Sequence, residues 1–376
     1  MMLLLACIVY FQGTPLHSLW VALATIPVVL MVAIGISLAR PTSRASFMGI
    51  IATIKGARAR NRGDFARSEN EFMKSLACAE ATTVNHDLSM ATALSNLAGA
   101  YQTAGRTDDA IPIFKQSLRH YSQLKKPRPT NQAIALAGLG SIYIALGLFE
   151  EALPLCREAV EISGKSPRHL RAVMLLNLGQ VLVGLGQLQE AESLTWEGLN
   201  LAIGAWISRV NLEAAALANL ADINRRLGRL PEAEKLGRRA LKRAEEAKKA
   251  DATLRPLTIL AETLRLEGKI DEAQSLAERG VEIAERISAG HNSGLERSLA
   301  TLARIRNQQG RPLEAEQLQK RCLDLLEKLS PEHPENAKRM EEYAATLKAL
   351  SRPEEAAAWE AKAKTIPVPV MAVDLM

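Results

Sequence analysis

Side chains able to do acid–base, nucleophilic or metal chemistry are present, but they are scattered. His17, His86, His120, His169, His291 and His333 stand apart from one another, and His333 sits in the SPEHPEN stretch, where capping or ordering a loop is its expected work. There is no H-E-x-x-H, no G-x-S-x-G and no glycine-rich loop ending in Gly-Lys-Ser/Thr. Cys7, Cys78, Cys156 and Cys322 form no pair with metal-ligand spacing. The paired acids Glu150/Glu151 and Asp271/Glu272 fall where a helix begins, a position that favours negative charge for electrostatic reasons alone. The expectation is therefore no catalytic residue, no cofactor, no metal and no enzyme. Chemistry of recognition remains: Arg255 and Arg297 recur 42 residues apart, with Arg265 and Arg304 close behind them, and guanidinium groups suit carboxylates.

The elements that would position them are repeats. A glycine followed by alanine five residues later recurs as Gly105/Ala110, Gly147/Ala152, Gly186/Ala191, Gly228/Ala233, Gly268/Ala273 and Gly310/Ala315, with degenerate copies at Gly63/Ser68 and Ser351/Ala356. The spacings are 42, 42, 39, 42, 40, 42 and 41 residues, inside the range of stacked repeats. Seven residues before each turn stands a small residue: Gly56, Ala98, Gly140, Gly179, Ala221, Ala261, Ala303 or Ala344. Twelve after it stands another, mostly Ser, Ala or Gly. Small residues at fixed places on two successive helices let their backbones approach, and the glycine permits the tight turn between them. Each unit is therefore a helical hairpin too thin to bury its own apolar faces, so neighbours must stack.

This pattern resembles the tetratricopeptide repeat, with Tyr101 and Tyr143 matching its first-helix aromatic and Phe72 and Phe114 its second. The long period, the EALPLCREAVEI stretch at 151–162 and PEHPENA at 331–337 resemble the kinesin-light-chain subtype. Asn224 and Arg306 depart from the first-helix aromatic, and Thr195 and Gly237 from the second. The resemblance implies an all-α fold, a right-handed α-solenoid of about eight hairpins. The expected units lie near 46–82, 86–125, 130–164, 168–204, 206–249, 251–288, 293–329 and 334–365. It also implies a concave groove lined by the first helices that takes a protein or peptide.

Positions thirteen, ten, six and three residues before each glycine form one stripe of the first helix. In the third and fourth units this stripe is largely apolar and includes Ile134, Ile144, Val173, Leu176 and Val183. In the fifth to seventh it carries Asp222, Arg225, Arg255, Glu262, Arg265, Arg297 and Arg304. A partner segment with apolar side chains over the first set and carboxylates near Arg255, Arg265, Arg297 and Arg304 would fit. The competing reading packs the apolar residues on neighbouring helices and pairs Arg255 and Arg265 with Glu262. Asn96, Asn177 and Asn219 resemble groove asparagines that hold a ligand backbone in some family members, although Ile54 and Ile259 occupy that place in the first and sixth units.

The ends of the chain differ from the repeats. Residues 1–39 contain no Lys, Arg, Asp or Glu, and 19–39 is an apolar run of ~32 Å as a helix, enough to cross a membrane. The expectation is an apolar segment 1–18, a transmembrane helix 19–39 and a basic juxtamembrane linker 40–45. Arg40, Arg44, Lys55, Arg58, Arg60 and Arg62 precede any acid, which by the positive-inside rule puts the repeats in the cytoplasm. The alternative is an assembly factor with its repeats on the far side of the membrane. Those six bases account for the whole net charge of +6, leaving the repeats formally neutral and removing the main support for nucleic-acid binding. Ala33/Ser37 and Gly35/Ala39 leave pairing of two copies open. Two prolines in 366–376 exclude a further helix, so an extended tail is expected there.

Overall fold

The computed structural model describes residues 41–83, 85–205, 209–247, 250–287, 294–329 and 335–366. Among them the chain forms sixteen helices and no strand. In order these are α1 (Pro41–Asn61), α2 (Phe65–Glu80), α3 (His86–Thr103), α4 (Thr107–Ser122), α5 (Pro129–Ala145), α6 (Phe149–Ile162), α7 (Arg168–Gly184) and α8 (Leu188–Ile203). Then follow α9 (Arg209–Arg226), α10 (Leu230–Glu246), α11 (Ala250–Leu266), α12 (Ile270–Ile287), α13 (Leu295–Gln308), α14 (Pro312–Leu329), α15 (Glu335–Ala349) and α16 (Pro353–Thr365). The apolar N-terminal segments 1–18 and 19–39 and the tail beyond residue 366 lie outside the described residues. No described helix is long and apolar enough to cross a membrane. The stretch 40–45, read from sequence as a linker, is corrected from Pro41 onward: it is the first turn of α1. Proline suits that position because its fixed φ matches the helix and its missing N–H would have no helical partner.

Backbone geometry explains the repeated glycine. Gly63, Gly105, Gly147, Gly186, Gly228, Gly268 and Gly310 all have φ between 73° and 81°, where a Cβ is strained, and Ser351 takes φ 59° in the eighth turn. This left-handed residue lets the next amide turn back and cap the first helix. Arg106 N–H donates to Tyr101 O at 2.9 Å, Leu148 N–H to Tyr143 O at 2.9 Å, and Arg352 N–H to Leu347 O at 2.9 Å. Carbonyls that a helix end leaves without partners are satisfied in each case.

The small residue seven before the turn faces the second helix. A Cβ on Gly56 would lie 2.9 Å from the Phe72 ring, one on Gly140 2.8 Å from Cys156 Sγ, and one on Gly179 2.6 Å from Thr195 Oγ1. Alanine fits the same seat at Ala98, Ala221, Ala261, Ala303 and Ala344, all fully buried. Stacking then closes the core along the whole length. Leu97, Tyr101, Phe114 and Leu139 share one cluster, Leu176, Leu217, Leu220 and Leu236 another, and Leu257, Leu260, Leu299 and Leu302 a third.

Units that lack the aromatic solve the same problem with polar groups. Asn224 is buried and donates to Leu220 O at 2.9 Å. Buried Arg306 bridges Glu278 at 2.6 Å and Glu314 at 3.2 Å and donates to Gln309 Oε1 at 2.9 Å, tying two hairpins together. Where Tyr101 is present, its hydroxyl donates to Glu69 at 2.9 Å while Arg106 stacks 4.3 Å over its ring and pairs with the same carboxylate.

Candidate functional site

The inner surface follows from which helices touch. First helices of successive hairpins pack on one another from α1·α3 through α11·α13, whereas successive second helices make no comparable contact. Elements on the tighter radius meet, so the first helices form the inner, concave wall and the second helices the outer one. The stripe positions on these helices are mixed: Ile134 and Arg297 are exposed, whereas Ala137, Leu176, Val183, Ala218 and Ala300 are buried.

At the apolar end the wall is partly open. Ile134 is 42% exposed, and Ile144 and Val173 are half-buried. Leu176 and Val183 are different: they are 4% and 9% exposed and belong to the core. Leu176 packs with Leu217 and Leu220 of α9, and Val183 with Ile223, because neighbouring first helices close over them. The expectation that these two face a partner is corrected on that ground. Asn96 is half-buried. Asn177 Nδ2 donates to Ala137 O of the preceding unit at 3.4 Å. Asn219 is 2% exposed; its Oδ1 accepts from Gln180 Nε2 at 3.4 Å, but its Nδ2 has no acceptor.

At the other end the wall is a ladder of ion pairs. Asp222 accepts from Arg225 at 2.5 Å and from Arg226 at 3.1 Å. Glu262 accepts from Arg265 at 2.8 Å and lies 3.6 Å from Arg304, which reaches on to Glu342 at 2.9 Å. Arg339 closes the ladder on Glu342 at 3.2 Å. Burial pushes the Asp222 and Glu262 carboxyls up, but the arginines beside them outweigh it and hold both below the usual carboxylate range. Arg265 and Arg304 are therefore already committed to the protein's own acids, with Arg265 also donating to Gln308 Oε1 at 2.9 Å. For Arg265 this matches the competing reading, in which it pairs with Glu262 on its own helix. Arg297 is exposed and pairs with Glu296 at 3.2 Å. Arg255 is half-buried and forms no ion pair or hydrogen bond among the described residues.

Elsewhere the titratable groups are structural. Cys156 and Cys322 are buried, and burial pushes both thiols up to about 12, far from a reactive thiolate. His120 meets Asp87 at 3.2 Å, and among the described residues no three His, Cys, Asp or Glu side chains gather as a metal site. A hollow of about 380 Å³ between α4 and α6 is lined by Leu118, Leu139, Tyr143, Pro154 and Leu155 together with Lys115, Arg119, Ser122 and Glu151.

With this geometry in place, the relatives can be compared. The model of the MalT-like TPR region matches residues 135–369, more than half of the chain. The chain belongs to the MalT-like TPR family. Two general tetratricopeptide-repeat models also match, over 51–123 and 101–167, so repeats cover the region upstream as well. No curated protein matches the sequence. Among solved structures, the apo form of the quorum sensor NprR from B. thuringiensis is similar over 85% of this chain and 87% of its own, with 15% identity and a TM-score of 0.64. A Rap protein complexed with competence and sporulation factor is 15% identical over 85% of this chain and 98% of that one, with a TM-score of 0.57. The Rap conjugation gene regulator of the plasmid pLS20, in complex with the Phr* peptide, is 14% identical over 88% and 98%, with a TM-score of 0.56. At such identities the likeness is one of fold.

Proposed function

We propose that this TPR chain is a non-catalytic scaffold that holds a segment of a partner protein, or a peptide, against its concave wall beside a membrane. The observation that supports the reading is that the first helices leave Ile134 exposed and Ile144 and Val173 half-buried at one end, and Arg297 exposed and Arg255 half-buried at the other. Two solved structures of similar fold are named as complexes with a factor or a peptide, which makes a peptide-sized occupant reasonable for this architecture. The right-handed sense is implied by the resemblance to tetratricopeptide repeats, and the kinesin-light-chain-like subtype by the long period with the EALPLCREAVEI and PEHPENA stretches; both are part of the same reading. Anchoring rests on the uncharged 1–39 stretch and the six bases after it, which would place the repeats in the cytoplasm and raise the local concentration of what they bind.

The test has two arms. A C-terminal tag is exposed to protease in intact and in permeabilised cells, and the chain is then used as bait on the side where the tag was protected. Protection until permeabilisation, with capture lost in an Ile134→Glu variant, is the expected result. Digestion in intact cells would instead favour an assembly factor outside the cytoplasm.

A further inference from the structure

The first hairpin has no hairpin before it among the described residues, and the flank it leaves open is apolar and basic at once. In later units the places twelve and nine residues before the turn glycine pack on the preceding hairpin, and Met174, Ala216, Asn219 and Ile259 there are all buried. On α1 the same places are Ile51, which is half-buried, and Ile54, which is 48% exposed; Phe47 and Ile50 beside them are 45% and 59% exposed. The spacing 47, 50, 51, 54 gathers these four on one stripe of the helix, about 100° wide. Bases edge the stripe. Arg44, Lys55 and Arg58 fall along one side of it and Arg62 just past the helix end, all exposed. None of the four forms an ion pair among the described residues: Glu71 of α2 lies within the field of Lys55 but pairs with Lys74 at 2.8 Å. Arg60 turns inward instead, 5.9 Å over the Phe72 ring. The first acid in the chain is Asp64, which accepts from Arg67 N–H at 3.1 Å as the cap of α2.

Whatever covers this flank has to take up apolar side chains and four positive charges together. Residues 1–39 of the chain carry no acid to meet the bases, and α1 of a second copy would bring the same charges, which repel. An anionic bilayer surface offers both partners, phosphates at the headgroup level and acyl chains beneath. Resting on the reading that the chain stands beside a membrane, we infer that α1 lies flat on an anionic phospholipid surface. Phe47, Ile50 and Ile54 dip below the headgroups, and Arg44, Lys55, Arg58 and Arg62 pair with lipid phosphates. The bilayer is then the missing neighbour of the first hairpin, and α1 sets the direction in which the solenoid leaves the surface.

The test uses the full chain with a polarity-sensitive dye on an Ile54→Cys substitution, in a Cys7→Ser/Cys78→Ser background; Cys156 and Cys322 are buried. The labelled chain is reconstituted in vesicles of phosphatidylcholine alone or mixed with phosphatidylglycerol, each with and without a quencher on the upper acyl chain. In the mixed vesicles the dye should shift to the blue and be quenched. Lys55→Gln/Arg58→Gln/Arg62→Gln, its helical spectrum checked first, or ~0.5 M salt should lower that quenching about twofold or more. Equal quenching in phosphatidylcholine alone, unmoved by the triple variant, would overturn the anionic surface. A dye shielded from water yet not quenched by the lipid would mean that residues 1–39 or a second copy cover the flank, and would overturn the inference too. A chain that floats with the vesicles while its dye stays in water overturns the inference and leaves the membrane reading standing. A chain that floats with neither kind of vesicle defeats both.

Discussion

The two ends of the inner wall are built on different physics. From α3 to α7 the first helices meet through Leu97, Leu139, Ile142 and Leu182, so position along this end is fixed by shape. From α9 to α15 the matching places still hold buried Leu220, Leu260 and Leu302, and Asp222, Glu262 and Glu342 with their arginines add ion pairs to that core. Close packing is insensitive to salt and acid, whereas partly solvated ion pairs respond to both. One solenoid thus carries an apolar core throughout and, at one end, an added set of ion pairs that respond to conditions. A partner that spans both ends would bind by burial at one and by charge at the other.

The comparison can be broken at the apolar end first. A Cβ on Gly138 would lie 2.5 Å from the buried Phe114 ring, so Gly138→Val should cost about 3 kcal/mol by overpacking. Thermal melts should show the loss equally at low and high salt, and a salt-dependent loss would mean the end is not held by shape. At the charged end, Glu342→Gln removes the carboxylate that Arg304 and Arg339 share. Because those side chains keep some solvent, the cost should be about 1–2 kcal/mol, and it should shrink as salt rises. A salt-independent cost would place the effect in packing.

Acid separates the two ends further. Asp222 and Glu262 have folded pKa values below their unfolded ones, so the stability they add is present above the unfolded value near ~4 and fades as pH falls through the folded value. Hydrogen exchange should therefore quicken in α9 and α11 below about pH 4 before it does in α5 and α7. Uniform quickening along the chain would contradict the division. The smallest expected effect on stability is that of Ile134→Glu, within about 0.5 kcal/mol because the side chain is exposed. Its effect should fall on binding alone.

Much of this architecture could be read from residue types. Gly105, Gly147 and their equivalents stand out because only glycine adopts a φ near 75° without strain, and Gly140 or Ala221 because a small side chain is needed where helices cross. Such constraints act within one hairpin and repeat, so a single sequence displays them eight times. The groove was less legible. Arg304 finds Glu342 38 residues away, and Arg265 finds Gln308 43 residues away; such pairings depend on which units neighbour and how far each long side chain reaches. Leu176 and Val183 fall on the correct stripe yet are buried, because the contact between successive first helices narrows the wall at α7.

The central claim is that the inner wall, not the outer one, is where partners dock. A photoactivatable residue placed at Ile134 on α5, and in a second protein at Leu313 on the outer helix α14, which is 66% exposed, tests it most directly. The account predicts discrete adducts at position 134 that vanish when Arg255 and Arg297 are replaced, and none at 313. Adducts of equal yield at both positions, or at 313 alone, would contradict it.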